Sequence, residues 1–335
     1  MVSWFSLEKS LSSLNKEIGL GILGLGTVGT GVIELLHKNG RRLADSVGRP
    51  LVVKRAGVSA IGPRRPLPES LITTDVDSVV HSPGVDIFVE VMGGEHLALD
   101  LMLAALYAGK PVVTANKLAL AKHWNRLMDA ASSTGVPICF EAAVAGGVPI
   151  IRTMAAHLVG AKVTRIEGIL NGTTNYMLTA MASGRSYKDV LEEAQRLGYA
   201  EADPTSDVEG WDALYKIAIL AALARREMPE IEKIRREGIT HLTQEDFESA
   251  AIDGQVIKLV ARADLAGTEP IISVQPRRLP HAHPLAGIDG VMNGVLVETS
   301  EAGSLFLSGP GAGAGPTATS VVSGIVEAAK WLPDP

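Results

Sequence analysis

A single cysteine in 335 residues, Cys139, excludes an internal disulfide and any metal site built on several cysteines. Aromatic residues are equally sparse, at 4%, which argues against an aromatic-rich binding surface. Positive charge is not in excess: the net charge is −6, so nothing points to a nucleic-acid partner. No apolar run is long enough to span a bilayer. Residues 1–17 lack the basic start and apolar core of a signal peptide, and the cytoplasm is the expected compartment. Internal repeats are missing, and the one biased tract is a glycine-alanine stretch over residues 309–315.

What remains is a globular composition, 46% hydrophobic and 20% charged, with 35 glycines. The length suits two domains, and the glycines suggest close backbone packing and ligand-binding loops. The apolar stretch Ile18-Gly19-Leu20-Gly21-Ile22-Leu23 predicts a strand that runs into Gly24-Leu25-Gly26-Thr27-Val28-Gly29 and then the helical pattern Val32-Ile33-Glu34-Leu35-Leu36. Strand, G-x-G-x-x-G and helix together form the dinucleotide fingerprint in its required context. Gly24 makes the tight turn, Gly26 lets the pyrophosphate approach, and Gly29 lets the helix pack on the strand. Thr27 and Val28 then open a helix whose free N–H groups suit phosphate. An NAD-specific site places an acidic residue after the second strand. None follows 51–58, where Arg64 and Arg65 stand in the next loop. Those arginines face a 2′-phosphate or form a solvated basic loop, so the cofactor is NADP or NAD.

Two further strands, over 85–91 and 111–113, end at Met92-Gly93-Gly94 and Thr114-Ala115-Asn116-Lys117. Ligands of open α/β sheets sit beyond such carboxyl ends, so Gly93, Thr114 and Lys117 are candidate cofactor contacts. Cys139 lies within an apolar strand and reads as a buried structural residue.

The densest chemistry lies further on. Gly198-Tyr199-Ala200-Glu201-Ala202-Asp203-Pro204 begins a segment with carboxylates at 201, 203, 207, 209 and 212, ahead of Lys216. Asp203-Pro204 predicts a helix start and the pattern predicts one helix to about Ala224. Asp212 and Lys216, four apart, share a face. The run after Lys216, residues 217–224, is apolar on every side, so the helix is buried and Lys216 sits at its mouth. A desolvated lysine can exchange a proton near neutrality; the plainer reading is an exposed ion pair. Asn171-Gly172-Thr173-Thr174-Asn175 is a turn rich in hydrogen-bonding groups, suited to orienting a polar substrate or to capping a helix. Short strands are expected at 273–276, 290–293, 294–299 and 303–308, which makes the second domain a mixed sheet under helices. The glycine loop 309–315 then opens a last helix, expected to pack back on the amino-terminal sheet, and can approach phosphate or nicotinamide.

These motifs, taken in order, resemble the homoserine dehydrogenase family from Gly19 to the last helix. The resemblance implies an α/β fold: a Rossmann-type dinucleotide-binding domain over 18–150, completed by a helix at 316–331, and an α+β catalytic and dimerisation domain with a mixed sheet over 151–315. It implies reversible NAD(P)-dependent interconversion of L-homoserine and L-aspartate 4-semialdehyde, in threonine and methionine biosynthesis, by a homodimer. Lys216 is then the proton donor, with Lys117 also at the active centre. Glu201, Asp207 and Asp212 hold the substrate, joined by Asn171 and Thr173. Gly198, Gly311 and Gly313 join the cofactor contacts. A monovalent cation, Na⁺, is held by Glu141, Val144, Gly146 and Val148. With the chain ending at Pro335, no added regulatory or aspartokinase domain is expected, nor inhibition by threonine through one. Of the rivals, a semialdehyde dehydrogenase would need a nucleophilic cysteine, for which Cys139 has no basic neighbour. A dinucleotide-sensing regulator would not need the cluster at 201, 212 and 216.

Overall fold

The computed structural model describes residues 17–62 and 66–333; Arg64 lies outside them. Two six-stranded sheets carry two compact units. The first unit holds the chain up to Ala119, with Arg126–Ala142 and the segment from Thr317 onward; the second holds Leu120–Asn125 and Ala143–Pro316.

The sheet of the first unit has the order β3-β2-β1-β4-β5-β6 and is parallel throughout, the order of a Rossmann sheet. Its strands are β1 (Ile18–Leu23), β2 (Leu51–Gly57), β3 (Ile72–Thr73), β4 (Ile87–Glu90), β5 (Val112–Thr114) and β6 (Ile138–Cys139). The composition of β1 explains its central place. Ile18, Leu20 and Ile22 are buried in one cluster with Val32 and Ile33 of the helix Thr27–Val47. The alternate residues are glycines because the other face is crowded: a Cβ on Gly19 would lie 1.6 Å from the Gly84 carbonyl oxygen. A strand covered on both faces carries no polar alternation.

The final helix, Ala314–Trp331, gives Ala318, Val321, Ile325 and Ala328 to that same cluster. Gly324 lets it come close, since a Cβ there would lie 2.8 Å from Val113 Cγ1 and 3.3 Å from the Cβ of Cys139.

The sheet of the second unit has the order β12-β11-β7-β9-β10-β8. Its members are β7 (Val163–Ile169), β8 (Arg235–Arg236), β9 (Gln255–Asp264), β10 (Ile271–Pro280), β11 (Met292–Thr299) and β12 (Gly303–Pro310). Pairing is antiparallel except for β8 on β10. Three features depart from the sequence reading. Residues 292–299 form one strand rather than two, and β8 and β9 enter the sheet without having been anticipated. The helices Gly172–Met181 and Trp211–Arg225 pack on this sheet. The second has buried residues on all sides, Leu214, Ile217, Ala218 and Leu220 among them, as its uniformly apolar sequence requires.

The close approach at Gly324 yields a stability test. Gly324→Val overfills the helix–sheet contact and should cost about 1–3 kcal/mol, read as a lowered midpoint of thermal unfolding; an unchanged midpoint would mean the helix can ride further from the sheet.

Candidate functional site

In the first unit, the turn after β1 is tight and glycine-dependent. Gly24 has φ 95°, and a Cβ there would fall 2.7 Å from the Val91 carbonyl oxygen. Gly29 is packed against the turn itself: its Cβ would lie 1.9 Å from the Gly24 oxygen. Gly26 differs. It has φ −76° and ψ −157°, which any residue can adopt, and a Cβ there would meet nothing within 4 Å. The fold therefore leaves the space over Gly26 open. The helix beginning at Thr27 has no side-chain cap and no acidic residue in its first turn. Its leading N–H groups and positive dipole end are thus available to an anion.

A residue that sequence reasoning passed over organises the neighbouring strand ends. Glu90, 0% exposed at the end of β4, accepts hydrogen bonds at Oε1 from the backbone N–H of Met92 and Gly93, both 3.0 Å, and at Oε2 from the Thr114 hydroxyl, 2.6 Å. Thr114 in turn accepts from Asn116 N–H at 3.0 Å, and the Asn116 amide donates to the Gly94 carbonyl at 2.8 Å. The Met92-Gly93-Gly94 and Thr114-Ala115-Asn116 turns are tied together through one carboxyl group. Burial pushes that carboxyl up from its ordinary value, opposed by its Thr114 and backbone partners. The Thr114 hydroxyl is committed inside this network. Asn116 caps the helix Lys117–Thr134 by accepting from Ala119 N–H, which sets Lys117 at its first residue. The sequence signal for Glu90 was a carboxylate at the end of an apolar strand just before a Gly-Gly turn.

In the second unit, a polar cluster forms around Lys216. The expected single helix is broken: Thr205–Val208 is one short helix, Gly210 turns left-handed at φ 79°, and Trp211–Arg225 begins anew. Asp203 still marks a start by accepting from Thr205 N–H at 3.1 Å. The break turns Asp207 and Asp212 inward while Glu201 and Asp203 stay exposed, and Glu209 pairs with Arg236. Lys216, 9% exposed, donates to Asp212 Oδ2 at 2.7 Å and to the Leu170 carbonyl at 2.8 Å. Asn171 takes the capping role that its sequence allowed. Its Oδ1 accepts from Thr174 N–H at 2.8 Å and caps the helix Gly172–Met181. Its Nδ2 donates to Asp207 at 2.7 Å and Asp212 at 2.9 Å. Two of the three ammonium protons of Lys216 are thereby engaged, leaving one for an oxygen of a bound molecule. Burial pushes the Asp207 carboxyl up, and the Asp212 carboxylate adds to the shift; Asn171, Lys216 and Thr173 oppose it.

The other anticipated residues fall as follows. The Thr173 hydroxyl donates to the Tyr199 carbonyl at 2.6 Å, fixing the turn at Gly198, which has φ 76°. Glu141 opens a 3-10 turn, Glu141–Ala143, and is buried. Val144 and Val148 are buried in the following loop, where Ala145 and Gly146 both have φ 56°. Gly311 and Gly313 lie between β12 and the final helix, Gly313 with φ 115°.

Comparison with known proteins bears on both units. A family model described as "Homoserine dehydrogenase, NAD binding domain" matches residues 24–141, and one described as "Homoserine dehydrogenase" matches residues 149–326. The chain is 44% identical over 321 residues to the homoserine dehydrogenase of Mycobacterium tuberculosis, covering 94% of this chain and 73% of that one. The Bacillus subtilis homoserine dehydrogenase is 43% identical over 318 residues, with the same coverage. The chain belongs to the homoserine dehydrogenase family. Solved structures agree: that of a homoserine dehydrogenase from Thiobacillus denitrificans superposes with a TM-score of 0.91 at 41% identity, covering 96% of this chain and 77% of its own. A hyperthermophilic archaeal homoserine dehydrogenase in complex with NADPH gives 0.81 at 29% identity, covering 95% and 99%. As a member of the family, the chain is an NAD(P)-dependent oxidoreductase acting on a CH–OH group, and its two sheets match the α/β fold expected of it.

Two tests follow from these geometries. Gly26→Val should leave the unfolding midpoint near that of the parent, because the open space accepts the side chain, while abolishing binding of NADPH measured by fluorescence; retained affinity would rule out the phosphate seat. Asp207→Asn removes a half-buried carboxyl group. A carboxyl raised on folding favours the folded state least once it is ionised. The variant should therefore melt higher than the parent at neutral pH, with the gain shrinking as pH falls and gone below about 3.9, the ordinary aspartate value, where both chains carry a neutral group. A gain independent of pH would contradict that origin.

Proposed function

We propose that this chain interconverts L-homoserine and L-aspartate 4-semialdehyde with NADP or NAD, in the biosynthesis of threonine and methionine. The observation that carries the reading is the buried Lys216 ammonium held by Asp212 and the Leu170 carbonyl, beside a second carboxyl and an amide. A regulator that only sensed a dinucleotide would have no use for such a cluster, since burying charge is costly unless something gains by it.

The cofactor, when bound at the Gly24–Gly29 turn, supplies the hydride in reduction and accepts it in oxidation. Lys216 gives its third proton to the aldehyde oxygen as that oxygen becomes the hydroxyl, and recovers it in the reverse direction. Asp212 aims the ammonium and, with Asp207 and Glu201, offers carboxylates to the substrate's amino group. Asn171 holds the two aspartates apart and oriented. Lys117 is the second catalytic lysine. Glu141, Val144, Gly146 and Val148 supply oxygen donors only, one carboxylate and three carbonyls. That chemistry suits a hard cation such as Na⁺, and the cation would hold the buried loop that carries those carbonyls. Gly93, Gly198, Gly311 and Gly313 are the further candidate backbone contacts to the cofactor, and Arg64, outside the described residues, is the candidate partner of a 2′-phosphate. The working form is a cytoplasmic homodimer. No helix among the described residues is long and apolar enough to cross a membrane.

The experiment is an absorbance assay of nicotinamide reduction with L-homoserine, run in parallel with NADP⁺ and NAD⁺. Homoserine-dependent reduction of at least one cofactor is expected, and omission of Na⁺ should slow it. A folded, cofactor-binding protein that leaves both cofactors oxidised would defeat the assignment.

A further inference from the structure

Asn293 on β11 is 0% exposed, and neither its Oδ1 nor its Nδ2 has a hydrogen-bond partner among the described residues. A carboxamide buried in that state is rare and costly. Its neighbours show where a partner can come from. Asn293 is opposite Gly309 in the β11–β12 ladder, which ends at the Met292–Pro310 pair. Pro310 has no N–H to give, and beyond it the backbone leaves the sheet as Gly311-Ala312-Gly313. Gly311 is pressed against the amide: a Cβ there would lie 2.1 Å from Asn293 Oδ1 and 2.6 Å from Nδ2. On its other side, a Cβ at Gly146 would lie 2.4 Å from the Gly311 carbonyl oxygen, and Gly147 N–H donates to the Pro310 carbonyl at 3.0 Å. The segment is thus confined between the buried amide and the Ala145-Gly146-Gly147 turn, yet its peptides leave the amide unpaired.

We propose that Asn293 is the latch of the glycine loop: its carboxamide accepts an N–H from, and donates an N–H to, the backbone of residues 311–313 when that loop engages the dinucleotide. A carboxamide has the donor and the acceptor that complement a peptide. Glycines at 311 and 313 let those peptides rotate, and only a glycine at 311 leaves room for the amide. The unpaired amide raises the free energy of the free loop, so pairing makes cofactor binding tighter than the cofactor's own contacts would. The loop's backbone, rather than the cofactor, is the partner because Gly311 already packs on the amide. This inference rests on the reading that Gly311 and Gly313 contact the cofactor, and it makes Asn293 a positioning residue.

The test compares Asn293→Leu and Asn293→Ala with the parent in the full chain, measuring the unfolding midpoint with and without saturating NADPH and the NADPH dissociation constant by fluorescence. Gly313→Ala, strained at φ 115°, is the control for the loop itself. The leucine variant replaces an unpaired amide by an apolar group of similar size. Its free form should melt no lower than the parent, while both Asn293 variants bind NADPH about tenfold more weakly and gain less in midpoint on loading, as expected for hydrogen bonds made only in the bound state. Affinity within about twofold of the parent in either folded Asn293 variant, with Gly313→Ala impaired, overturns the latch alone. An equal fall of the free and loaded midpoints in both variants shows a purely structural amide and also overturns it. Unimpaired binding by Gly313→Ala overturns the loop's role in cofactor binding, and the latch with it.

Discussion

The Asp212–Lys216 ion pair is the constraint around which the second unit is arranged. A lysine in the middle of an apolar helix would carry a heavy desolvation penalty if left alone. The structure offsets that penalty with a carboxylate one turn earlier at 2.7 Å and the carbonyl at the end of β7 at 2.8 Å. Because the helix restarts at Trp211 after the left-handed Gly210, Asp212 falls in its first turn, where a negative charge also meets the positive end of the helix. Asn171 is fixed by its duty as a cap and so presents its amide to both aspartates without freedom to turn away. Asn171 is thus needed by the fold as well as by the cluster.

The first unit solves a different problem with backbone rather than side chains. Its turn between β1 and the first helix is kept tight by glycines that no other residue can replace, at 24 and 29, and open by one that the fold itself does not require, at 26. The two strand ends beside it are coupled by Glu90, an acid with no cation among its hydrogen-bond partners. That arrangement holds only while three donors point at it, so Glu90 specifies the shape of two turns at once.

Much of this was legible in the sequence because it is local. The fingerprint glycines, the Asn171 cap and the i,i+4 pair of Asp212 and Lys216 depend on spacing within one or two elements. The break at Gly210 was not, because the acidic residues before it and the apolar ones after it read as one amphipathic start followed by a buried helix. The glycine's left-handed backbone shows only when the chain folds. Strand β9 escaped because Lys258 and Arg262 stand among its apolar residues, which leaves neither an unbroken apolar run nor a strict alternation; Lys258 donates to the Ile288 carbonyl at 2.6 Å and to Asp289 at 2.7 Å. The Glu90 side chain meets that of Thr114, 24 residues on, and the Asn293 amide has no partner among the described residues; no periodicity encodes either.

The central claim is that the ammonium of Lys216, held by Asp212, is the group that moves the proton. It is tested most directly by single-turnover and steady-state rates of Lys216→Ala with homoserine, alongside its affinity for NADPH. The account predicts turnover lower by about 10²–10⁴, the usual range for a lost general acid, with cofactor affinity kept. Turnover near that of the parent, in a variant that binds NADPH normally, would contradict it.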